Sequence, residues 1–322
     1  MRRVLPWIVA FVLAIAAGGG AVAGLNATVF GPGDFVRVYL DALARGDAES
    51  ALALPGVNAA GADDLLLDDT VLTGLTDLRQ VSDDDLGDGR HRVTYAWTTP
   101  GGDGTTSFEV ERVGTRLGLF PEWGFAVSPV ARLSLDVLHD PRFTANDVQQ
   151  NTGRDAAGPV EYAVLVPGSY VFGHDTEFLR APDVTVLADE VGAVLDATVD
   201  VQAGGDFASA LDEEVRAHLD ECTTQQVLFP TGCPFGQTIT NRVISDPVWT
   251  MAAYPELQIA PGSEFGTWVA GPSSGTAHLV VEVKSLFDGS VSTFDEDVVF
   301  EVTYTSTIDG TTITVTEGPA EG

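Results

Sequence analysis

Lysine is nearly missing from this sequence of 322 residues, since Lys284 is the only lysine beside 15 arginines. Asp and Glu together number 47 against 16 basic residues, which gives a formal net charge of −31. A protein that binds nucleic acid needs a basic face to neutralise phosphates, and binding along an anionic lipid surface needs one too. We therefore expect no nucleic-acid partner and no broad contact with anionic lipid.

Long apolar runs are also scarce, because only residues 4–25 form one, directly behind Arg2 and Arg3. An uncharged helix of this length can cross a bilayer, and a single such run excludes a multispan channel or transporter. The sequence predicts that residues 1–30 are a membrane anchor or signal segment. In the anchored form the protein is a single-pass cell-membrane protein with its C-terminal part outside. Alternatively, cleavage after the A-x-A-type site at residues 21–23 secretes the chain.

Only two cysteines are present, Cys222 and Cys233, separated by ten residues. An even pair in an exported chain predicts a disulfide, which by the loop-entropy relation contributes roughly 3 kcal/mol. A structural metal site requires three or four ligands, and a redox-active pair normally has C-x-x-C spacing. The sequence therefore predicts no metal and no cofactor.

Residues 31–128 have the pattern of a helix followed by an antiparallel sheet. Apolar side chains fall on one face of residues 34–47, with Asp34 as the expected N-cap and Gly46 as the stop, and a short helix is predicted at 48–54. Alternation in 90–98 and 105–113 predicts two strands, and Pro and Gly between them predict a hairpin turn.

Residues 129–190 are predicted to be a small β module, with a polar connection over 140–159. Residues 191–318 then repeat the first pattern and contain the cysteine pair, and 319–322 are a tail. Apolar residues recur at every fourth position of 206–222, which predicts a helix. We expect the later strands at 239–244, 248–253, 266–270, 276–286 and 298–306, with a hairpin turn at Asp309-Gly310.

Taken together, these patterns predict an α+β protein. It has an N-terminal apolar helix, a helix-plus-antiparallel-sheet domain, a small β module and a second helix-plus-antiparallel-sheet domain.

Two segments carry a family resemblance. FVRVYLDALARGDA at 35–48 with its following meander resembles the cone-shaped fold of nuclear-transport-factor-two-like and cystatin-like domains. VEYAVLVPGSYVF at 160–172 resembles PEGA-type envelope modules, in which a Pro-Gly turn precedes an aromatic strand. The order over residues 33–316 is similar to actinobacterial single-pass envelope proteins and, more distantly, to TcaA-like proteins, although the chain lacks their zinc ribbon. The resemblance implies a non-catalytic role outside the cytoplasm and no catalytic residues.

Few sequence motifs indicate a catalytic or metal-binding site. Residues 271–275 match G-x-S-x-G, but a β-like run follows instead of a helix, so we expect a turn. The five histidines are scattered singly, without paired metal-ligand spacing. Asp is dense at 83–88, but the loop lacks the glutamate that an EF-type calcium site requires. Both this cluster and residues 295–297 are predicted to be solvated acidic hairpin tips.

Aromatic side chains are the best binding candidates. Inward packing is the default for them, but the sheet face of a cone-shaped domain is also a natural pocket. Phe120 and Trp123 on the segment 120–125, together with Tyr170, are the expected ligand contacts.

The sequence therefore favours a non-catalytic exported envelope protein that binds or scaffolds a cell-wall polymer or an envelope protein. It would contact the membrane through its N-terminal helix alone. One alternative is an extracytoplasmic hydrolase, which requires convergence of two or more residues among His174, Asp175, Ser169 and Ser273. The other is an accessory subunit of a membrane complex.

Overall fold

The computed structural model describes residues 31–59, 61–116 and 119–318. This part of the chain is α+β and consists mostly of antiparallel sheets. Its helices are α1 (Pro32–Ala44), α2 (Ala48–Leu52) and α3 (Gly205–Thr223). The predicted apolar helix within residues 1–30 and the tail at 319–322 lie outside the described residues.

A four-stranded meander follows the first two helices. Its strands, in order across the sheet, are β1 (Thr76–Gly87), β2 (Arg90–Thr99), β3 (Gly102–Arg116) and β4 (Phe120–Phe125). Helix α1 packs on this sheet through Tyr39, whose ring lies 6.0 Å from Phe108 and 5.1 Å from Phe125 between centroids. The predicted helix followed by an antiparallel sheet is confirmed here.

The start of α1 differs from the prediction. Gly31 is the N-cap, Pro32 opens the helix, and the Asp34 carboxylate accepts a hydrogen bond from the Gly31 N–H at 3.3 Å. Proline is favoured at the first helical position because its missing N–H would have no helical partner there. Asp34 is therefore a third-position acid and not the N-cap, and the helix ends two residues before Gly46.

Two sheets form a sandwich in the middle of the chain. The first has the order β11 (Val194–Asp200), β5 (Val130–Leu138), β8 (Val160–Leu165), and β11 runs parallel to β5. The second has the order β12 (Gln202–Ala203), β10 (Leu179–Ala188), β9 (Gly168–Asp175), β6 (Arg142–Ala145), β7 (Val148–Asn151).

The β6–β7 hairpin lies within residues 140–159, which the sequence assigns to a polar connection. Phe143 and Ala145 are the only side chains of this hairpin that are buried, and they are 1 % and 0 % exposed. Asn146 and Asp147 form its turn with φ values of 48° and 65°, a conformation that Asn and Asp tolerate. The short apolar pattern explains why the hairpin is missing from the prediction.

A six-stranded sheet contains the remaining strands: β13 (Arg242–Val243), β14 (Val248–Ala253), β15 (Ile259–Pro261), β16 (Thr267–Lys284), β17 (Val291–Asp309) and β18 (Thr312–Glu317). Helix α3 buries Phe207, Leu211, Val215 and Leu219 against the core, which confirms the helix predicted from the four-residue repeat. The Asp309-Gly310 turn is also confirmed, because Asp309 pairs with Thr312 across it.

Two strand predictions in this sheet are wrong in extent. The strand expected at 239–244 is limited to the two residues of β13. The strands expected at 266–270 and 276–286 are one strand, β16, because a bulge absorbs Gly271 and Pro272 and pairing with β17 resumes at Ser273. A bulge accommodates one or more unpaired residues without ending the strand.

Buried side chains form two clusters. One joins α1 and the first sheet with Ala163 and Leu165 of β8. The other runs without a break from the sandwich to the six-stranded sheet, and Phe207 links the two, with ring centroids 6.1 Å from Phe178 and 6.4 Å from Trp268. The sandwich is therefore packed against both neighbouring parts of the chain.

Tyr39 connects α1 to the sandwich, and we expect removal of its hydroxyl to destabilise the folded protein. Its buried hydroxyl lies 2.8 Å from the Val166 carbonyl oxygen and 3.1 Å from that of Pro129. We expect Tyr39→Phe to lower the free energy of unfolding by about 1–3 kcal/mol, because the buried carbonyls lose their donor. Denaturant unfolding followed by circular dichroism measures the loss.

Tyr162→Phe is the matched control for this substitution. The Tyr162 hydroxyl is also buried, but no described residue is its hydrogen-bond partner. Its removal deletes a buried polar group without breaking a bond, so we expect no loss of stability. Equal losses in the two variants would contradict the role given to Tyr39.

Candidate functional site

The three predicted ligand contacts do not share one surface. Phe120 and Trp123 lie half-buried on β4, at the edge of the first sheet. Tyr170 lies on β9 in the sandwich core, where it is 1 % exposed and donates a hydrogen bond to the Leu165 carbonyl oxygen at 3.0 Å. Burial raises the pKa of the Tyr170 hydroxyl. The ring is closed to solvent, so the candidate site is built on β4 without Tyr170.

His91 adjoins Trp123, and Asp83 adjoins His91. The His91 ring meets the indole edge-on, with centroids 5.2 Å apart and planes at 86°. His91 Nδ1 lies 2.7 Å from Asp83 Oδ1, and the two side chains are 23 % and 28 % exposed. We call Asp83, His91 and Trp123 the β4 aromatic site. It presents an indole and an oriented imidazole that solvent can reach.

Strand alternation places His91 on the helix-facing side of the first sheet. In β2, Val93, Tyr95 and Trp97 are buried on that side, and His91 belongs to the same alternate set. Asp83 lies on β1, where it pairs with Val93 of β2, and the β1–β2 register is irregular on both sides of this pair. This pairing brings the Asp83 carboxylate to the His91 ring. Val93 is the last fully buried side chain on this side of β2, and Trp123 packs against the same core, so the β4 aromatic site lies at the border of that core.

Sequence reasoning missed His91 and Asp83 as part of a site. The alternation of β2 was a usable signal for His91, because it assigns the ring to the apolar face. Residues 83–88 are exposed and lead into the β1–β2 turn at 88–89, as predicted for an acidic hairpin tip, but Asp83 itself lies in β1 and its carboxylate contacts His91. The irregular register of β1 has no sequence signal of comparable strength.

The β4 aromatic site has the chemistry of recognition. A carboxylate that holds His Nδ1 fixes the ring and its tautomer, and none of the described residues hydrogen bonds Nε2. Nε2 is therefore the ring nitrogen available to a ligand, beside an aromatic ring that can pack on an apolar or saccharide face. An Asp–His pair performs acyl transfer only with a nucleophile in reach, and the described contacts of His91 include no such group.

The residues named for the hydrolase alternative are not brought together. His174 is 2 % exposed, and its Nδ1 lies 2.9 Å from the Arg142 carbonyl oxygen inside the sandwich. Asp175 follows it on β9, points to the opposite face and lies 3.6 Å from the Arg180 guanidinium. Ser169 is also on β9 and is buried. Ser169, His174 and Asp175 do not meet, because neighbouring side chains on β9 point to opposite faces and Ser169 lies several residues away along the strand.

Ser273 of the G-x-S-x-G match is on another sheet. It lies in β16 at the bulge, so the turn predicted for residues 271–275 is wrong, and the strand-to-helix context of a nucleophile elbow is missing too. Ser273 borders a groove of about 570 Å³ together with Tyr254 and Gln258. Its hydroxyl donates a hydrogen bond to the Glu256 carbonyl oxygen at 2.7 Å. The serine therefore fixes the loop that ends before β15.

A second histidine cluster lies on the six-stranded sheet. His278 Nδ1 is 2.8 Å from Asp297, and its Nε2 is 3.1 Å from Asp295 on the neighbouring strand β17. Residues 295–297 are exposed, as predicted, but they lie within a strand and not at a hairpin tip. The hydrogen bond that the His278 ring donates to Asp297 raises the pKa of His278, and the negative charge of Asp295 raises it further.

This cluster predicts a pH dependence. A histidine with a raised pKa in the folded state contributes its stability fully below the unfolded pKa of about 6.5 and loses it as pH rises through the folded pKa. We expect the NMR titration midpoint of His278 to lie above 6.5 and to fall in Asp297→Asn. Asp295→Asn should lower it less, because Asp297 is the stronger partner. A midpoint that Asp297→Asn leaves unchanged would contradict this assignment.

The cysteine pair is joined as predicted. Cys222 at the end of α3 and Cys233 form a disulfide with Cα atoms 5.8 Å apart. Among the described residues, no group of three or more His, Cys, Asp or Glu side chains is arranged to hold a metal ion. None of the helices in the described ranges is long and apolar enough to cross a membrane.

Comparison of the chain with protein-family models, curated proteins and solved structures found no match.

Proposed function

We propose that this chain is a non-catalytic, exported cell-envelope protein that binds a cell-wall polymer through the β4 aromatic site. The observation that carries the proposal is the placement of Trp123 and His91 together at the accessible end of the first sheet's helix-facing side. Binding sites combine aromatic surface with a few oriented polar groups, and this site has both.

Export is supported by two independent features. Residues 4–25 form an uncharged apolar run behind two arginines. The disulfide between Cys222 and Cys233 is the kind of crosslink that persists in oxidising compartments. The proposed location is the cell membrane, with residues 31–322 outside, or the extracellular medium after cleavage.

A polymer ligand fits the charge of the chain. A net charge of −31 disfavours polyanionic ligands, whereas a saccharide chain presents apolar ring faces and hydroxyl groups. The Trp123 indole offers a packing surface for a sugar ring, and His91 Nε2 can exchange a hydrogen bond with a hydroxyl. Asp83 keeps the imidazole in place.

Co-sedimentation with purified cell-wall sacculi tests the proposal. The full chain in mild detergent should sediment with sacculi, and binding should persist as salt is raised, because the contacts are not mainly ionic. We expect Trp123→Ala to weaken binding about tenfold or more, as for a central aromatic contact worth about 2 kcal/mol.

Phe229→Ala is the matched control, because Phe229 is an aromatic side chain that is 60 % exposed on another part of the chain. It should bind sacculi like the unmodified protein. Absence of sedimentation, or equal binding by Trp123→Ala and the unmodified chain, would overturn the wall-polymer function at this site.

A further inference from the structure

The turn between β16 and β17 exposes two adjacent apolar side chains. Phe287 is 100 % exposed and Leu286 is 73 % exposed, the two highest values for large apolar residues in the described ranges. Isolated exposed apolar residues are ordinary, but an aliphatic and an aromatic residue side by side at a sheet's end form a contact surface.

Hydrogen bonds give this turn a defined shape. The Ser285 N–H donates to the Ser290 carbonyl oxygen at 2.8 Å, and the Gly289 N–H donates to the Ser285 carbonyl oxygen at 3.1 Å. Ser285 Oγ accepts the Phe287 N–H at 3.2 Å, and the Asp288 carboxylate accepts the Ser290 N–H at 3.1 Å. These bonds hold Leu286 and Phe287 away from the sheet.

The chain's only lysine lies directly beside these side chains. Lys284 ends β16 and pairs with Arg242 of β13, so two cations stand side by side at the base of the turn. No described residue forms an ion pair with either cation. In sequence, Glu282 and Asp288 are near Lys284 and Asp246 is near Arg242, so both signs of charge occur at this end of the sheet in a protein with a net charge of −31.

We propose that the β16–β17 turn inserts Leu286 and Phe287 into the interface of a lipid bilayer, with Lys284 and Arg242 at the level of the headgroup phosphates. Apolar tips enter the boundary between headgroups and acyl chains, while the long basic side chains reach the phosphates. This inference rests on the proposed membrane location, because residues 4–25 would keep a bilayer close to the exported part.

A bilayer fits this turn better than a protein partner does. A specific protein interface buries about 800 Å² on each partner, and a six-residue turn with two apolar side chains supplies much less. Insertion into lipid needs no complementary surface. The neighbouring cations match anionic headgroups, although the rest of the protein is too acidic for broad lipid contact.

Photo-crosslinking of the full chain in vesicles tests this insertion. We would replace Phe287 with p-benzoylphenylalanine in protein reconstituted into phosphatidylcholine vesicles, with and without phosphatidylglycerol. The matched control carries the same residue at Val299, which is 69 % exposed in the middle of β17. We expect at least tenfold more lipid adduct from position 287. Equal adduct at both positions, or only chain-to-chain adducts from position 287, would overturn the insertion.

The double substitution Arg242→Gln with Lys284→Gln tests the cations. It should lower the lipid adduct from position 287 several-fold in vesicles that contain phosphatidylglycerol, and an unchanged yield would overturn the headgroup contact. Vesicle flotation separates this proposal from the proposed location. A chain that floats without adduct at 287 overturns only the insertion, whereas one that neither floats nor forms adduct contradicts membrane anchoring as well.

Discussion

Replacing Phe207 with alanine is expected to lower the free energy of unfolding by about 3–5 kcal/mol, the usual cost of removing a fully buried phenyl ring. Phe207 is 0 % exposed on α3, and its ring contacts Phe178 of the sandwich and Trp268 of the six-stranded sheet. The cavity would open where these two parts meet. Rigid strands on two sides of the cavity limit its collapse, so the upper part of this range is expected.

The measurement combines denaturant unfolding with hydrogen exchange. We expect the loss of amide protection to be largest in α3, β10 and β16, because these elements surround the missing ring. Residues in the first sheet belong to the other buried cluster and should keep their protection.

Phe287→Ala makes the same chemical change at a ring that is fully exposed. It should shift the free energy of unfolding by less than about 0.5 kcal/mol, as for most surface substitutions. A comparable loss in Phe287→Ala, or a loss below about 1 kcal/mol in Phe207→Ala, would contradict the packing described for α3.

Local patterns predicted the elements of this fold whose signals are self-contained. Helix α3 follows from four apolar residues at four-residue spacing, and the β17–β18 hairpin follows from Asp309-Gly310 at its turn. These features depend on neighbours along the chain, so the sequence displays them directly.

Features set by pairing between distant segments were not predictable in the same way. The bulge at Gly271 and Pro272 looks like a turn in sequence, and only its partner β17 shows that the strand continues. The 140–159 segment has too few apolar residues to display a strand period, yet tertiary contacts bury Phe143. Local composition competes here with long-range pairing, and the pairing decides the structure.

The candidate functional site also combines a residue that local sequence indicates with contacts that depend on distant strand pairing. Trp123 could be named from sequence, because an aromatic residue in a predicted sheet is a candidate on its own. Its neighbour His91 is 32 residues earlier in the sequence, and their contact depends on the registers of two strand pairs. The contact of His278 with Asp297 likewise requires the β16–β17 register. Such side-chain groups exist only after the sheets have formed.

Removing the disulfide with Cys222→Ala and Cys233→Ala is expected to lower the free energy of unfolding by about 3 kcal/mol, because the unfolded chain regains the freedom of a short closed loop. Alanine is preferred to serine because Cys222 is 1 % exposed and a serine hydroxyl there would be buried. Denaturant unfolding measures the loss, and reduction of the unmodified protein with dithiothreitol should reproduce it.

The disulfide also positions a core residue, which gives the experiment a structural readout. Two residues after Cys233, Phe235 is buried with its ring 5.0 Å from Trp249 and 5.4 Å from Phe300.

Without the crosslink, Gln225 still holds the loop through Thr231, because the Gln225 side-chain oxygen accepts the Thr231 N–H at 2.8 Å. Gln225→Ala is therefore the control that keeps the disulfide and removes this polar contact, and it should cost only about 1 kcal/mol. If it costs as much as the double alanine variant, hydrogen bonds and not the crosslink secure Phe235. If the disulfide dominates, as we expect, amide exchange around Phe235 rises far more on reduction than in Gln225→Ala, and the folded protein depends on an oxidising compartment.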